Sequence, residues 1–389
     1  MKHRYGFLLL LLLLPVVAGC WSRREVNELA IISGTGLDWD RQSEMVELTV
    51  QMLKPQQVGG GQMGAGGAGG QGKPVVVRST KGRTIAEAIR RLEMETPRKL
   101  FWSHNRIIVL GEDFARRGVE ALDFFSRERE TRLISWVLVA RGRAREILGL
   151  GPDLEKIPAL SVSSLTKQRT GMIVNLKDFL IMLSSWGDNP VTGTVAPVEN
   201  KQENGQGQST VSLVGAAAFR DGKLVGWLDD REMRGLMWLR GKIKRGVITV
   251  PCPRYPDEPL SFTIRSASTR IIPQVRDGFI SFLVEIREEG ELIEQWCQED
   301  FTKPDKIKEL EKLKEKEIKM RAGEVLQKAQ EEWQTDIFGF GEALRRRYPR
   351  VWKQVRENWN EEFAYAEINL VVEAKIRRTG MTSKPTQIK

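Results

Sequence analysis

Residues 106–140, RIIVLGEDFARRGVEALDFFSRERETRLISWVLVA, decide the fold class. Phe101–Leu110 ends in an unbroken apolar run and reads as a strand, and Leu133–Ala140 reads as a second. Continuous apolar runs of this length fit strands buried on both faces. Between them, Phe114–Glu130 places Ala115, Val119, Leu122 and Phe125 or Ser126 on one side of a helix. On the N-terminal flank, Thr84-Ile85-Ala86-Glu87 is a capping box opening a helix that runs to about Glu95 and stops before Pro97. On the C-terminal flank, Ala144–Leu150 is a short helix. Helices alternating with buried strands predict an α/β-type sheet packed by helices.

Further towards the N-terminus, Val46, Leu48, Val50 and Met52 alternate with Glu47, Thr49 and Gln51, the pattern of a half-buried strand. Gly34-Thr35-Gly36 before it is a poor dinucleotide loop, because a third glycine would be needed at Trp39 and no helix follows. Nine of the fourteen residues Gly59–Gly72 are glycine, which predicts a flexible loop between two strands. Gly67–Lys73 matches the spacing of a phosphate-binding loop. The next residue, however, is Pro74 rather than Ser or Thr, and Val75-Val76-Val77 is strand-like.

Asn189–Gly207 is rich in Pro, Gly, Asn and Gln and marks a division into units 20–198 and 199–381, followed by a disordered tail 382–389. A hairpin follows: Val214–Arg220, an Asp221-Gly222 turn, and Lys223–Leu228. Asp229–Glu232 caps a helix through Leu239, and strands are expected at Gly246–Val250, Leu260–Arg265 and Phe279–Ile286. Lys303–Glu332 is a long amphipathic helix with Ile307, Leu310, Leu313, Ile318, Val325 and Ala329 on its apolar side. Tyr348-Pro349 starts a helical region carrying Trp352, Trp359 and Phe363, and Ala366–Arg377 alternates as a final strand against the long helix.

The first twenty residues set the compartment. Lys2, His3 and Arg4 precede the apolar run Phe7–Val17, which is short of the ~20 residues a spanning helix needs. Val17-Ala18-Gly19-Cys20 closes it with small residues before a cysteine. This resembles a bacterial lipobox, so residues 1–19 are expected to be a signal peptide and Cys20 the lipidated N-terminus. Two acyl chains anchor a protein stably where one does not.

Composition excludes several chemistries. Loss of Lys2 and Arg4 lowers the formal charge from +10 to +8, spread along the chain, which suits anionic lipid or wall polymer and not nucleic acid. The densest cluster, Arg345-Arg346-Arg347, reads as a solvated helix face. His104 is the sole histidine of the mature chain, expected as a hydrogen-bonded strand-end residue rather than a base. There is no CxxC, HxxxH or GxSxG, so no zinc site or hydrolytic triad is expected, and no cofactor; counting alone leaves carboxylate-only catalysis open. Export would permit a disulfide between Cys252 and Cys297, yet Cys252 lies between two prolines and the balance favours free thiols. A Cα separation under ~7 Å would decide it.

Cys20–Asn27 (CWSRREVN), Gly36-Leu37-Asp38, Gly82–Ala88, Pro97–Phe101 with Ser103-His104, Gly215–Phe219, Leu224–Gly226, Asp336–Gly341 and the late Trp352, Trp359 and Phe363 together resemble the Ger(x)C lipoproteins, the C subunits of spore nutrient germinant receptors. The resemblance covers nearly the whole mature chain. It implies an α+β fold of about three compact units with mixed sheets. It also implies a non-enzymatic, lipid-anchored subunit on the outer face of the spore inner membrane, beside a multi-spanning A subunit and a permease-like B subunit; a small-molecule germinant enters as an indirect partner, and the sequence leaves open whether this subunit touches it. The family brings no catalytic residues, so Cys20 alone carries over. A different function, a lipid-anchored solute-binding protein of a transporter, would share the anchor but usually shows two doubly wound lobes. A tethered enzyme is disfavoured by the sparse His and Cys.

Overall fold

The computed structural model describes residues 28–54, 74–150, 155, 157–168, 170–200 and 208–378. The signal peptide, Cys20, the Gly59–Gly72 segment and the 382–389 tail lie outside them. The class is α+β, built on two sheets.

The larger sheet has ten strands. Its parallel centre is β1 (Leu29–Asp40), β5 (Ile107–Leu110), β6 (Trp136–Ala140) and β8 (Val191–Asn200). Antiparallel β2 (Met45–Leu53) and β3 (Val75–Gly82) extend it beyond β1, and β9 (Gln208–Arg220) and β10 (Lys223–Leu228) extend it beyond β8. The short strands β4 (Lys99–Phe101) and β7 (Val174–Asn175) pair with β1 and β6. The sheet therefore draws strands from both sides of the division expected at 198/199.

Alternation explains the two layers of helices. On β5, Ile107 and Val109 face one side and pack with α4 (Ala144–Gly149) and α5 (Pro158–Lys167). Ile108 and Leu110 face the other, in the core that holds α1 (Ile85–Glu95), α2 (Glu112–Arg117), α3 (Asp123–Arg127) and α6 (Leu176–Leu183). Gly34 and Gly36 are strand residues against the first layer. A Cβ on Gly34 would lie 2.8 Å from Ala159 Cβ, and one on Gly36 3.1 Å from Ala144 Cβ, so both glycines admit close helix–sheet packing.

The smaller sheet runs β11 (Val247–Pro251), β12 (Pro259–Arg276), β13 (Phe279–Gln295), β14 (Glu367–Arg378). The long helix α8 (Pro304–Gln327) ends in a π turn, Lys328–Glu332, and packs on this sheet and on α7 (Asp230–Leu239). Gly235 of α7 sets the α7–α8 approach: a Cβ there would fall 2.2 Å from the Arg321 carbonyl oxygen. The chain closes through α9 (Phe340–Arg347), α10 (Pro349–Val355) and α11 (Trp359–Tyr365) into β14.

Four expectations are corrected. Phe114–Glu130 is not one helix: it breaks at Gly118 (φ +142°), where the next N–H, from Val119, donates to the Gly222 carbonyl on the β9–β10 turn. Phe101–Leu110 is not one strand, because a 3₁₀ turn at Trp102–His104 buries Trp102 between β4 and β5. The strands read as Leu260–Arg265 and Phe279–Ile286 are the first parts of an 18- and a 17-residue strand that form one hairpin; the polar stretch of β13 pairs with β12 on one side and β14 on the other, and that of β12 pairs with β13. Finally, Cys252 and Cys297 form a disulfide with Cα atoms 6.5 Å apart. β11 and β13 flank β12 and end at the same edge, so the residues just beyond each strand meet despite the prolines.

Candidate functional site

Cys20 has no described geometry, so the described residues must be read for what else they build. His104 is exposed, with its ring 5.7 Å from Phe101. No side-chain hydrogen bond holds it among the described residues, contrary to the expectation, because the 3₁₀ turn aims it at solvent. Arg345–Arg347 are exposed at the end of α9, as a solvated face requires.

A buried polar network joins the large sheet's loop 184–190 to the segment Asp336–Gly341. The two backbones touch: a Cβ on Gly341 would lie 2.5 Å from Gly187 Cα. The Asn189 N–H donates to the Asp336 carbonyl (2.7 Å) and the Glu342 N–H to the Gly187 carbonyl (3.2 Å). Asp336 is fully buried. Its carboxylate accepts the N–H groups of Phe338 and Gly339 on one oxygen, and those of Gly341 and the Trp359 indole on the other, all at 2.8–3.0 Å. Gly339 takes φ +86° to let this turn wrap the carboxylate.

Arg240, at the C-cap of α7, completes the junction. It donates from Nη1 and Nη2 to the two oxygens of Asp188, both at 2.9 Å, and from Nη1 to the Ile337 carbonyl at 2.5 Å. Burial pushes Asp336 up to about 6, and the Asp188 charge adds to the rise; the N–H groups of Gly341, Phe338 and the Trp359 indole work against it. Burial works against the Arg240 cation, yet Asp188 and Asp336 outweigh it and hold its pKa above the ordinary value.

Two clefts flank this junction. One, of about 450 Å³, is polar and lies between Trp186, Arg220, Asp221 and the Arg356–Glu361 turn. The other, of about 630 Å³, lies among α5, α6 and the end of α7, with Arg240 and Asp188 at one end. Met172, Met182 and Met237 form its buried floor, and Lys167, Lys242 and Lys244 stand exposed at its rim. The junction can couple the two halves of the molecule, and the second cleft has the size and mixed lining of a small-molecule site.

Sequence reasoning quoted Asp336–Gly341 only as part of a resemblance and missed Asp188, Arg240 and the cleft. The available signal was weak: Arg240 ends a capped helix, and Trp186-Gly187-Asp188-Asn189-Pro190 has the composition of a turn.

Comparison with known proteins supplies context for this geometry. A family model described as "Spore germination protein N-terminal domain" matches residues 22–197, and one described as "Spore germination B3/ GerAC like, C-terminal" matches residues 214–380. Spore germination protein KC of Bacillus subtilis (strain 168) is 31% identical over 397 residues, covering 97% of this chain and 96% of that protein. Spore germination protein B3 of the same organism is 26% identical over 392 residues, covering 99% of this chain and 100% of that one. A solved structure, the crystal structure of the GerBC protein, superposes with a TM-score of 0.54 at 22% identity, over 88% of this chain and 97% of that chain, a likeness of fold.

Proposed function

The chain belongs to the GerAC-like family of spore germination proteins, and from this premise we propose that it is a non-enzymatic, lipid-anchored subunit of a nutrient germinant receptor. The observation that carries the reading is the succession of the two family domains, N-terminal then C-terminal, over nearly the whole chain. In this reading Cys20 carries the lipid and holds the body on the extracytoplasmic face of the spore inner membrane. The tether raises the body's effective concentration at the outer loops of membrane-spanning A and B subunits. The apolar run and small-residue exit of residues 7–20 support the anchor. Assembly, rather than chemistry, is the task assigned to the body: the two halves are locked together at Asp336, Asp188 and Arg240, which suits a rigid docking part.

The test is a deletion of the gene in a strain lacking paralogous receptors, followed by optical-density loss of purified spores. The deletion strain is expected to lose its response to one class of nutrient while keeping the response to a trigger that bypasses receptors. Cys20→Ala is expected to lose acyl label and to restore germination poorly. Normal nutrient germination in the deletion strain would overturn the assignment; acyl label retained by the Cys20→Ala chain would remove the anchor from it.

A further inference from the structure

We propose that the cleft among α5, α6 and α7 is a binding site for a small amphiphilic anion, an apolar body carrying one carboxylate or phosphate. The inference is independent of the receptor reading and rests on two features of the cleft.

The first is size and floor. At about 630 Å³ the cleft falls in the range of small-molecule sites, and Met172, Met182 and Met237 supply a buried thioether floor that can adapt to an apolar body. The second is the charge around it. Arg240 is already satisfied by both oxygens of Asp188, so that pair contributes no free charge. Lys167, Lys242 and Lys244 make no ion pair among the described residues and face one rim acid, Asp178, whose carboxylate accepts from the Asn175 amide. The balance is positive charge over an apolar floor, which favours an anion with an apolar body over a cation or a sugar.

The mature chain carrying Cys20→Ser, titrated with the anionic fluorophore 8-anilinonaphthalene-1-sulfonate, tests this. Octanoate, octanol and short-chain phosphatidylglycerol below its micelle concentration serve as competitors. Saturable binding displaced by octanoate but not by octanol is expected. K242E/K244E, both exposed and so neutral to folding, is expected to weaken octanoate by about tenfold, equivalent to two lost rim ion pairs. Ile181→Ser, at a cleft-lining residue that is 54% exposed, keeps every charge and is expected to weaken it by removing apolar lining. Displacement by octanoate alone identifies a free carboxylate as the occupant; displacement also by the phosphatidylglycerol extends the site to a lipid headgroup. Equal displacement by octanol, or unchanged affinity in either variant with an unchanged melting temperature, overturns the proposal.

Discussion

The guanidinium of Arg240 meets the carboxylate of Asp188 as a fork, with each terminal nitrogen 2.9 Å from a different oxygen. Their side chains are 10% and 15% exposed, so solvent screens the pair little. Asp188 belongs to the loop that follows α6, and Arg240 ends α7. Because Arg240 also donates to the Ile337 carbonyl, one side chain ties the large sheet to the turn that wraps Asp336.

Arg240→Met is therefore expected to be among the more damaging single changes. It would leave Asp188 in partial burial without its cation and free the Ile337 carbonyl. Breaking a buried pair from one side typically costs ~3–5 kcal/mol. Arg240→Lys should recover only part of this, since an ammonium cannot make both fork contacts and reach Ile337. Urea midpoints of the two variants and the parent measure it. A loss under ~1 kcal/mol for Arg240→Met would place the pair with ordinary surface bridges.

Asp336 gives the molecule a pH-dependent element. Its folded pKa of about 6 lies above the ordinary 3.8, so the folded state binds the proton more tightly than the unfolded chain. The linked stabilisation is fully present below the unfolded value and is lost as pH rises through about 6. The difference between about 6 and 3.8 corresponds to at most ~3 kcal/mol. The Trp359 indole donates to this carboxylate at 3.0 Å, so its emission should change as the proton leaves. Subtracting the pH titration of Trp359→Phe from that of the parent should reveal a step with a midpoint near pH 6. Asp336→Asn should abolish that step. A flat difference spectrum between pH 4 and 8 would show that the group does not titrate there.

How much of this was legible depended on whether a feature was local. The Asp221-Gly222 hairpin turn was readable because both residues take positive φ, 49° and 74°, and that demand writes itself into residue type. The Asp229–Glu232 cap was equally local and forms a full capping box. Thr84–Glu87 was half right: Thr84 accepts from the Glu87 N–H, but the Glu87 carboxylate takes the Arg83 N–H in place of the Thr84 N–H. What escaped is long-range. Asp38, on β1, accepts the Ala144 and Arg145 N–H groups and so caps a helix 106 residues further on, which no window of sequence can show. Gln51, inside an alternating strand, holds the Leu148 carbonyl and the Ala159 N–H on two different helices. Gly34 and Gly36 looked like a failed nucleotide loop, and their true partners, Ala159 and Ala144, lie over a hundred residues away. Cys252 and Cys297 meet only because a third strand lies between theirs. The site was missed for the same reason: Asp188, Arg240 and Asp336 are each unremarkable in sequence and acquire meaning only from one another.

The same logic makes Lys314 and Glu288 a sharp test. The reading of α8 put Leu313 in the apolar stripe, but the residue facing the small sheet between Leu310 and Ile318 is Lys314, and it is fully buried. Its ammonium lies 2.7 Å from Glu288 of β13, also fully buried, and 5.2 Å from the Phe262 ring centroid. Burial pushes the Glu288 carboxyl up, and the Lys314 charge pulls it back. Gly290 leaves the room this needs, since a Cβ there would lie 2.9 Å from Lys314 Nζ. Desolvating both ions offsets much of their attraction, so the pair adds little net stability, while either ion alone is costly. Lys314→Met is accordingly expected to destabilise by ~3–5 kcal/mol, and Glu288→Leu by a similar amount. The double variant Lys314→Met/Glu288→Leu should regain most of that loss, because two apolar side chains of similar volume replace two ions. Denaturant midpoints for the four proteins close the cycle. A coupling energy within ~0.5 kcal/mol of zero, as for distant independent sites, would mean that the two charges do not depend on each other for burial.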